Sequence, residues 1–301
     1  MRIIVTTGKS YTELDGYACC IAYADLLRKE GKEAVAILPG VLNESIIPEV
    51  KAWGGAFETE YSEQPEDKFV LQDISEKEYF AQFVNEDKVI AVYDHHFGFE
   101  KYWNEKLGEN AHIEKMGACA TFIVEEAVQK NLLASLELSS LRLLYTAIFA
   151  NSLNLKASVT TERDIKALEL LSPLANLDQN WHESYFESLQ QGILNDPISA
   201  VKRDLKILEV EGESWAIGQL ELWNGAEIFQ QYQAEFQKLL GECEQKYAFI
   251  TVPSIKQGLT FVQAKNMKTR EILEQFGLSG NKLQALRLRK EWIKLLMSSP
   301  S

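Results

Sequence analysis

The chain has 301 residues, 46% of them hydrophobic and 25% charged, which excludes disorder and collagen-like repetition and suffices for about two domains of ~150 residues. Lys and Arg total 31 against 44 Asp and Glu, a formal charge of −13, which argues against a long nucleic acid as partner because phosphate backbones are met by basic fields. No apolar run approaches the ~18 residues of a membrane span, and Met-Arg-Ile-Ile-Val-Thr-Thr at the start lacks the core of a signal peptide. A cytoplasmic protein with no membrane partner is the expectation.

Arg2–Thr6 reads as a strand, a short run of β-branched residues. Residues 16–30 follow as a helix, with Cys20, Ile21, Ala24 and Leu27 on one face and Gly31 as its stop. Further apolar runs of strand length occupy 33–38, 69–72 and 88–93. Strand, helix and strand with a crossover of this length predict a parallel sheet covered by helices on both faces, so the fold class is α/β. From 117 to about 191 the pattern turns helical, with apolar residues at three- and four-residue spacing in 118–129, 139–149 and 162–171. Pro173, the stretch 176–180 and Asn195-Asp196-Pro197 punctuate it. These signals divide the chain into a first domain, 1–191, a linker, 192–196, and a smaller α/β domain, 197–301. In the latter, strands are expected at 205–210, 215–222, 247–252 and 258–264, and helices at 226–242, 268–276 and 292–297.

Two of the four histidines sit together in Tyr93-Asp94-His95-His96, directly after an apolar strand. Acids follow two other strands: Glu13-Leu14-Asp15 after the first, and Asp73 after 69–72. In parallel sheets the functional crevice lies beyond the carboxyl ends of the strands, so these residues collect at one rim. Carboxylates with imidazole suit Mn²⁺, Co²⁺, Fe²⁺ or Zn²⁺, and carboxylates alone suit Mg²⁺. Taken singly, the same residues read as an N-cap at Asp73, partners of a helix dipole at Glu13 and Asp15, and a hydrogen-bonded histidine pair. Cys19, Cys20, Cys119 and Cys243 lack metal-binding spacing and read as buried thiols. His112 and His182 read as structural or surface residues.

Asp94-His95-His96 is the triplet for which the DHH phosphoesterase superfamily is named. The chain resembles that superfamily over essentially its whole length, in the branch of family II inorganic pyrophosphatases and exopolyphosphatases. Glu13-Leu14-Asp15-Gly16 with the small-residue helix behind it is similar to the first motif, Gln72-Asp73 to the second and Asp94-His95-His96 to the third. Gly117-Ala118-Cys119-Ala120-Thr121 resembles the family's Gly-rich helix start. Asn151-Ser152-Leu153-Asn154-Leu155-Lys156, with Thr160 to Asp164, resembles the fourth motif and the helix after it. Asp204-Leu205-Lys206, Gly218-Gln219-Leu220-Glu221 and Leu288-Arg289-Lys290 resemble the DHH-associated domain.

The resemblance implies a metal set of Glu13, Asp15, Asp73, Asp94, His95 and Asn151, with Asp94 orienting the site. It implies that His96 touches the substrate phosphate and that Lys206, Arg289 and Lys290 hold it across an interdomain cleft. Without the resemblance, 287–291 reads as a solvated edge ahead of a helix. Four positions depart from the family. Lys9 stands where a metal-binding histidine is found, Glu13 and Asn151 where aspartates are found, and Leu288 where a serine is found. An inward Lys9 would supply one positive charge in place of a cation, and an outward one would meet solvent.

The implied reaction is metal-dependent hydrolysis of a phosphoanhydride such as pyrophosphate or short polyphosphate. Mn²⁺ is the first choice of metal, with Mg²⁺ or Co²⁺ as alternatives, and Lys9 and Asn151 weaken its binding. The implied partners are a small phosphorylated substrate and a second copy of the chain in a homodimer. Alternatives are a phosphodiesterase of a nucleotide or short oligonucleotide, and a catalytically impaired phosphate- or nucleotide-binding regulatory protein.

Overall fold

β1 (Arg2–Thr6) places four consecutive β-branched residues out of solvent, as a strand covered on both faces requires. In the computed structural model, which describes residues 1–298, the chain divides into two units. The first takes in 1–155 and 159–182, and the second runs from 183 onward with 156–158.

In the first unit β1 is followed by β2 (Tyr11–Thr12), α1 (Leu14–Lys29), β3 (Glu33–Ile37), β4 (Val41–Leu42), α2 (Pro48–Ala52) and β5 (Phe57–Glu58). Then come β6 (Lys68–Gln72), β7 (Val89–Asp94), α3 (Glu100–Leu107), β8 (Ala111–Ile113), α4 (Ala120–Gln129), α5 (Leu138–Asn151) and α6 (Glu162–Ala175). Six strands form one parallel sheet in the order β5-β3-β1-β6-β7-β8, while β2 and β4 pair separately. The chain winds outward from β1 to β5 on one side and from β6 to β8 on the other. The order therefore reverses between β1 and β6, and a doubly wound sheet opens its crevice outside the strand ends at such a point. α1 is buried from Leu14 to Leu27, on every side rather than along one stripe, with two acids, Asp15 and Asp25, among the apolar residues. Ile4, Phe69, Leu71, Val92 and Trp103 share a core under the sheet. The indole N–H of Trp103 donates to the carbonyl of Ser75 (2.8 Å), two residues beyond Asp73.

α7 (Trp181–Leu194) begins at the division between the units, ahead of the 192–196 stretch. The second unit continues with α8 (Pro197–Asp204), β9 (Lys206–Val210), β10 (Glu213–Gln219), α9 (Gly225–Gln231), α10 (Gln233–Glu242), β11 (Tyr247–Ser254), β12 (Leu259–Ala264), α11 (Met267–Glu274), β13 (Lys282–Leu283) and α12 (Arg289–Met297). Its sheet runs β13-β12-β11-β10-β9, parallel only between β10 and β11. Alternate residues of β11 serve two cores. Ala248, Ile250 and Val252 meet α8, α9 and α10, whereas Tyr247 and Phe249 meet α11 and α12.

Two expectations need correction. The helix expected over 226–242 is two, separated by the non-helical Tyr232 (φ −106°, ψ 13°). Apolar residues keep helical spacing through the break, so periodicity does not reveal it. Pro173 does not end its helix: α6 runs through it to Ala175 and stops at the left-handed Asn176. The carbonyl that loses its donor belongs to Glu169, an exposed residue. Among the described residues no helix is long and apolar enough to cross a membrane.

Candidate metal centre

Asp73 follows β6 with φ +58°, a left-handed conformation that Asp tolerates better than most residues. Its N–H still bonds to the Tyr93 carbonyl (2.8 Å), so the turn is fixed to β7. The Asp73 carboxylate thereby faces the residues that end β7. Oδ1 lies 3.3 Å from His95 Nε2 and 3.8 Å from His96 Nδ1. It is buried and has no hydrogen-bond partner among the described residues. Burial pushes the Asp73 carboxyl well above the usual carboxylate range, and the charge of Asp15 adds to the effect.

His95 is buried, and its Nδ1 lies 3.1 Å from the Met116 carbonyl. A carbonyl only accepts, so Nδ1 carries the proton and Nε2 presents its lone pair to Asp73. Asp15 Oδ2 is 3.9 Å from the same nitrogen. His96 makes the matching arrangement with Asp94, donating from Nδ1 (2.8 Å) and from its backbone N–H (3.1 Å) to Oδ1. Burial works against the charge on Asp94, but the bond from His96 prevails and keeps this carboxyl below its ordinary range. For His96, partial loss of water opposes the charged form, yet Asp94 and Asp73 raise its pKa above that of a free histidine.

Asp73, His95 and His96 each offer a ligand atom within 4.8 Å of the others. One carboxylate and two imidazoles fit a first-row divalent ion, which would give Asp73 Oδ1 its missing partner; with its Nδ1 committed to Asp94, His96 has only Nε2 to offer.

Asp15 is differently placed. Its Oδ1 accepts from the N–H of Ala120 (2.9 Å) and the thiol of Cys19 (3.5 Å). Its Oδ2 accepts from the N–H of Cys119 (2.7 Å) and the amide Nδ2 of Asn151 (2.7 Å). The carboxylate therefore sits at the positive end of α4, fully buried. Asn151 is the last residue of α5 and is followed by three left-handed residues, Leu153, Asn154 and Leu155. The N–H of Asn154 closes back on the Phe149 carbonyl (2.7 Å).

Two other buried acids hold helix starts in the same way. Asp25 accepts from the Glu137 N–H (2.7 Å) and the Ser140 hydroxyl (3.0 Å) at the head of α5. Asp164 accepts from the N–H groups of Thr161 (2.7 Å) and Gly117 (3.0 Å) and from the hydroxyl of Thr121 (2.6 Å). A Cβ on Gly117 would come 2.7 Å from Asp164 Oδ2, which explains the glycine.

The remaining candidates are placed as follows. Glu13 is half-buried ahead of α1 without capping it, and its charge contributes to the raised pKa of Asp73. Lys9 is exposed, the outward of the two orientations. In the second unit Lys206 and Lys290 are exposed. Arg289 donates from Nη1 to the carbonyl (2.5 Å) and carboxylate of Asp204, and its N–H donates to Gln219 Oε1 (2.5 Å). Leu288 donates its N–H to Glu291 (2.8 Å) but has no oxygen to return to the helix. His112 stacks on Tyr93 (4.5 Å between centroids), and burial lowers its pKa. The sequence reading has no place for the Met116 carbonyl or for Asp25, and it names Asp164 only within the likeness of 160–164 to the family. The Thr161-x-x-Asp164 spacing of a capping box is the one signal that points to any of them.

No family model matches the chain. It is 26% identical over 247 residues to a Deinococcus radiodurans protein named as a manganese-dependent inorganic pyrophosphatase, a match that takes in 77% of this chain and 74% of that one. The crystal structure of a Methanococcus jannaschii protein described under family II inorganic pyrophosphatases superposes with a TM-score of 0.68 at 20% identity, covering 99% of this chain and 98% of the other. The chain is similar to proteins named as manganese-dependent inorganic pyrophosphatases, and it shares the fold of the Methanococcus jannaschii protein. An exopolyphosphatase-related protein from Bacteroides fragilis shares the fold more loosely, with a TM-score of 0.51 at 10% identity over 98% of this chain and 90% of that one. In this chain Asp94 is the last residue of β7 and His95 and His96 follow it, on the strand next to β6 and the reversal of strand order.

Proposed function

We propose that the chain is a divalent-metal-dependent phosphohydrolase whose substrate is a phosphoanhydride such as pyrophosphate or a short polyphosphate, with Mn²⁺ as its ion. The name of the Deinococcus radiodurans relative supports both metal and substrate class. The observation that carries the reading is the buried, unpartnered oxygen of Asp73 facing the lone pair of His95. Asp73, His95 and His96 would hold the ion. When bound, it lowers the pKa of water and offsets phosphate charge.

The protein's own contribution is orientation and proton placement. The Met116 carbonyl keeps the proton of His95 on Nδ1, and Asp94 does the same for His96. Glu13 adds negative charge nearby. Lys206, Arg289 and Lys290 bind the substrate's phosphate in this reading. Asp204 and Gln219 fix Arg289 through one guanidinium nitrogen and its backbone, which leaves the other donors for phosphate oxygens.

Phosphate release from pyrophosphate and tripolyphosphate, measured with Mn²⁺, Mg²⁺ and Co²⁺, tests the proposal. Slow turnover that EDTA abolishes is expected, falling about 100-fold or more in Asp73→Asn. Turnover that persists in EDTA, or a fully active Asp73→Asn, would refute it. The outward Lys9 and the Asn151–Asp15 bond favour a second reading, a regulatory protein that binds the same ligands. Mn²⁺-dependent binding of pyrophosphate without any release of phosphate would select it.

A further inference from the structure

Resting on that metal-dependent reading, we propose that Asn151 limits the first unit to a single divalent ion by occupying Asp15 with a neutral donor. A carboxylate has about four acceptor positions. Those of Asp15 are met by the N–H groups of Cys119 and Ala120, the Cys19 thiol and the Asn151 amide. All four donors belong to the protein, and two of them are N–H groups at the start of α4, where the helix dipole favours a carboxylate. Asp73 is the opposite case. Its side chain is nearly as deep, yet its Oδ1 has no donor among the described residues. Of two carboxylates facing the same nitrogen of His95, one is satisfied by the fold and one is not. The unsatisfied one marks the place of one ion, together with His95 and His96.

The side chain at 151 decides this because of its charge. An amide gives Asp15 a hydrogen at 2.7 Å. A carboxylate there would set two negative groups against each other out of solvent, an arrangement that a second cation relieves. Three left-handed residues, Leu153 to Leu155, turn the chain one residue past Asn151, and the N–H of Asn154 closes that turn on the Phe149 carbonyl.

The experiment is a Mn²⁺ titration of the full chain. Free ion is counted by electron paramagnetic resonance, and the melting temperature is followed in parallel. One ion per chain is expected for the unmodified protein. Asn151→Asp should melt several degrees lower without metal, recover with Mn²⁺, and bind two ions. Asp15→Asn should still bind one, within about threefold of the original affinity, because Asp15 is not a ligand. If Asp15→Asn does not fold, the Asn151→Asp count decides alone. Two ions on the unmodified chain, an Asn151→Asp that melts and binds unchanged, or an Asp15→Asn that folds but no longer binds Mn²⁺ would each overturn the inference. The outcomes separate it from the activity it rests on. Two ions with rapid hydrolysis overturn this inference alone, one ion without hydrolysis overturns the activity alone, and no bound ion overturns both.

Discussion

At Gly117 a hydrogen atom is all that the backbone can carry, because Asp164 Oδ2 stands 2.7 Å from where a Cβ would be. Gly117→Ala should push that carboxylate off the Gly117 and Thr161 N–H groups. A loss of about 1–3 kcal/mol is expected, read as a lower urea midpoint with an unchanged slope. Such single residues divide into those that sequence exposes and those it does not. Asp94-His95-His96 and Asp73 are legible because each follows an apolar strand, and strand ends converge by construction in a parallel sheet. The proton on His95 is set by a backbone carbonyl, and any residue type at Met116 would offer the same group. The bond from Asn151 to Asp15 joins residues 136 positions apart, and no local pattern encodes it.

Among the elements, β1 and β6 are joined at the end of the sheet remote from the metal centre. Arg2 grips Asp67 with Nε (3.0 Å) and Nη2 (2.7 Å), while Tyr61 and the N–H of Gln64 donate to the same buried carboxylate. The bond from Arg2 outweighs burial and holds Asp67 below the ordinary carboxylate range, with Gln64 and Tyr61 assisting. A depressed folded-state pKa contributes stability above the unfolded value of ~3.9, and that stability is lost as pH falls through the folded one. The urea midpoint should therefore decline as pH is lowered below about 4, and Asp67→Asn should flatten the decline. At neutral pH the same change should cost about 3 kcal/mol, because it leaves Arg2 without its charge partner. Elements were legible where one period ran uninterrupted, as in α1 and β1. The break at Tyr232 was not, since Ile228, Phe229, Phe236 and Leu240 keep their spacing across it. Two-residue strands such as β2, β4 and β5 carry too few residues for any period to register.

For the whole molecule, the two units carry separate cores, and every proposed ligand of the ion lies in the first. Ion binding should then stabilise one unit selectively. Mn²⁺ at about 100 times its dissociation constant adds ~2.7 kcal/mol to the state that binds it. Hydrogen exchange should slow in β1, β6, β7 and α1 and remain as it was in β10 and β11. Equal protection of both units would contradict this. The α/β class was legible from alternation alone, but the reversal of strand order between β1 and β6 was not. Apolar runs reveal strands without revealing which strands are neighbours.

The indole of Trp103 gives the chain an optical property of its own. Trp103 is fully buried, and its N–H is fastened to the Ser75 carbonyl, two residues along from Asp73. Its emission should be blue-shifted and shielded from dissolved quenchers. A paramagnetic ion held by Asp73 should dim that ring, whereas diamagnetic Mg²⁺ at the same place should leave it bright. The chain would then signal the magnetic character of its occupant in its own fluorescence, with no dye attached.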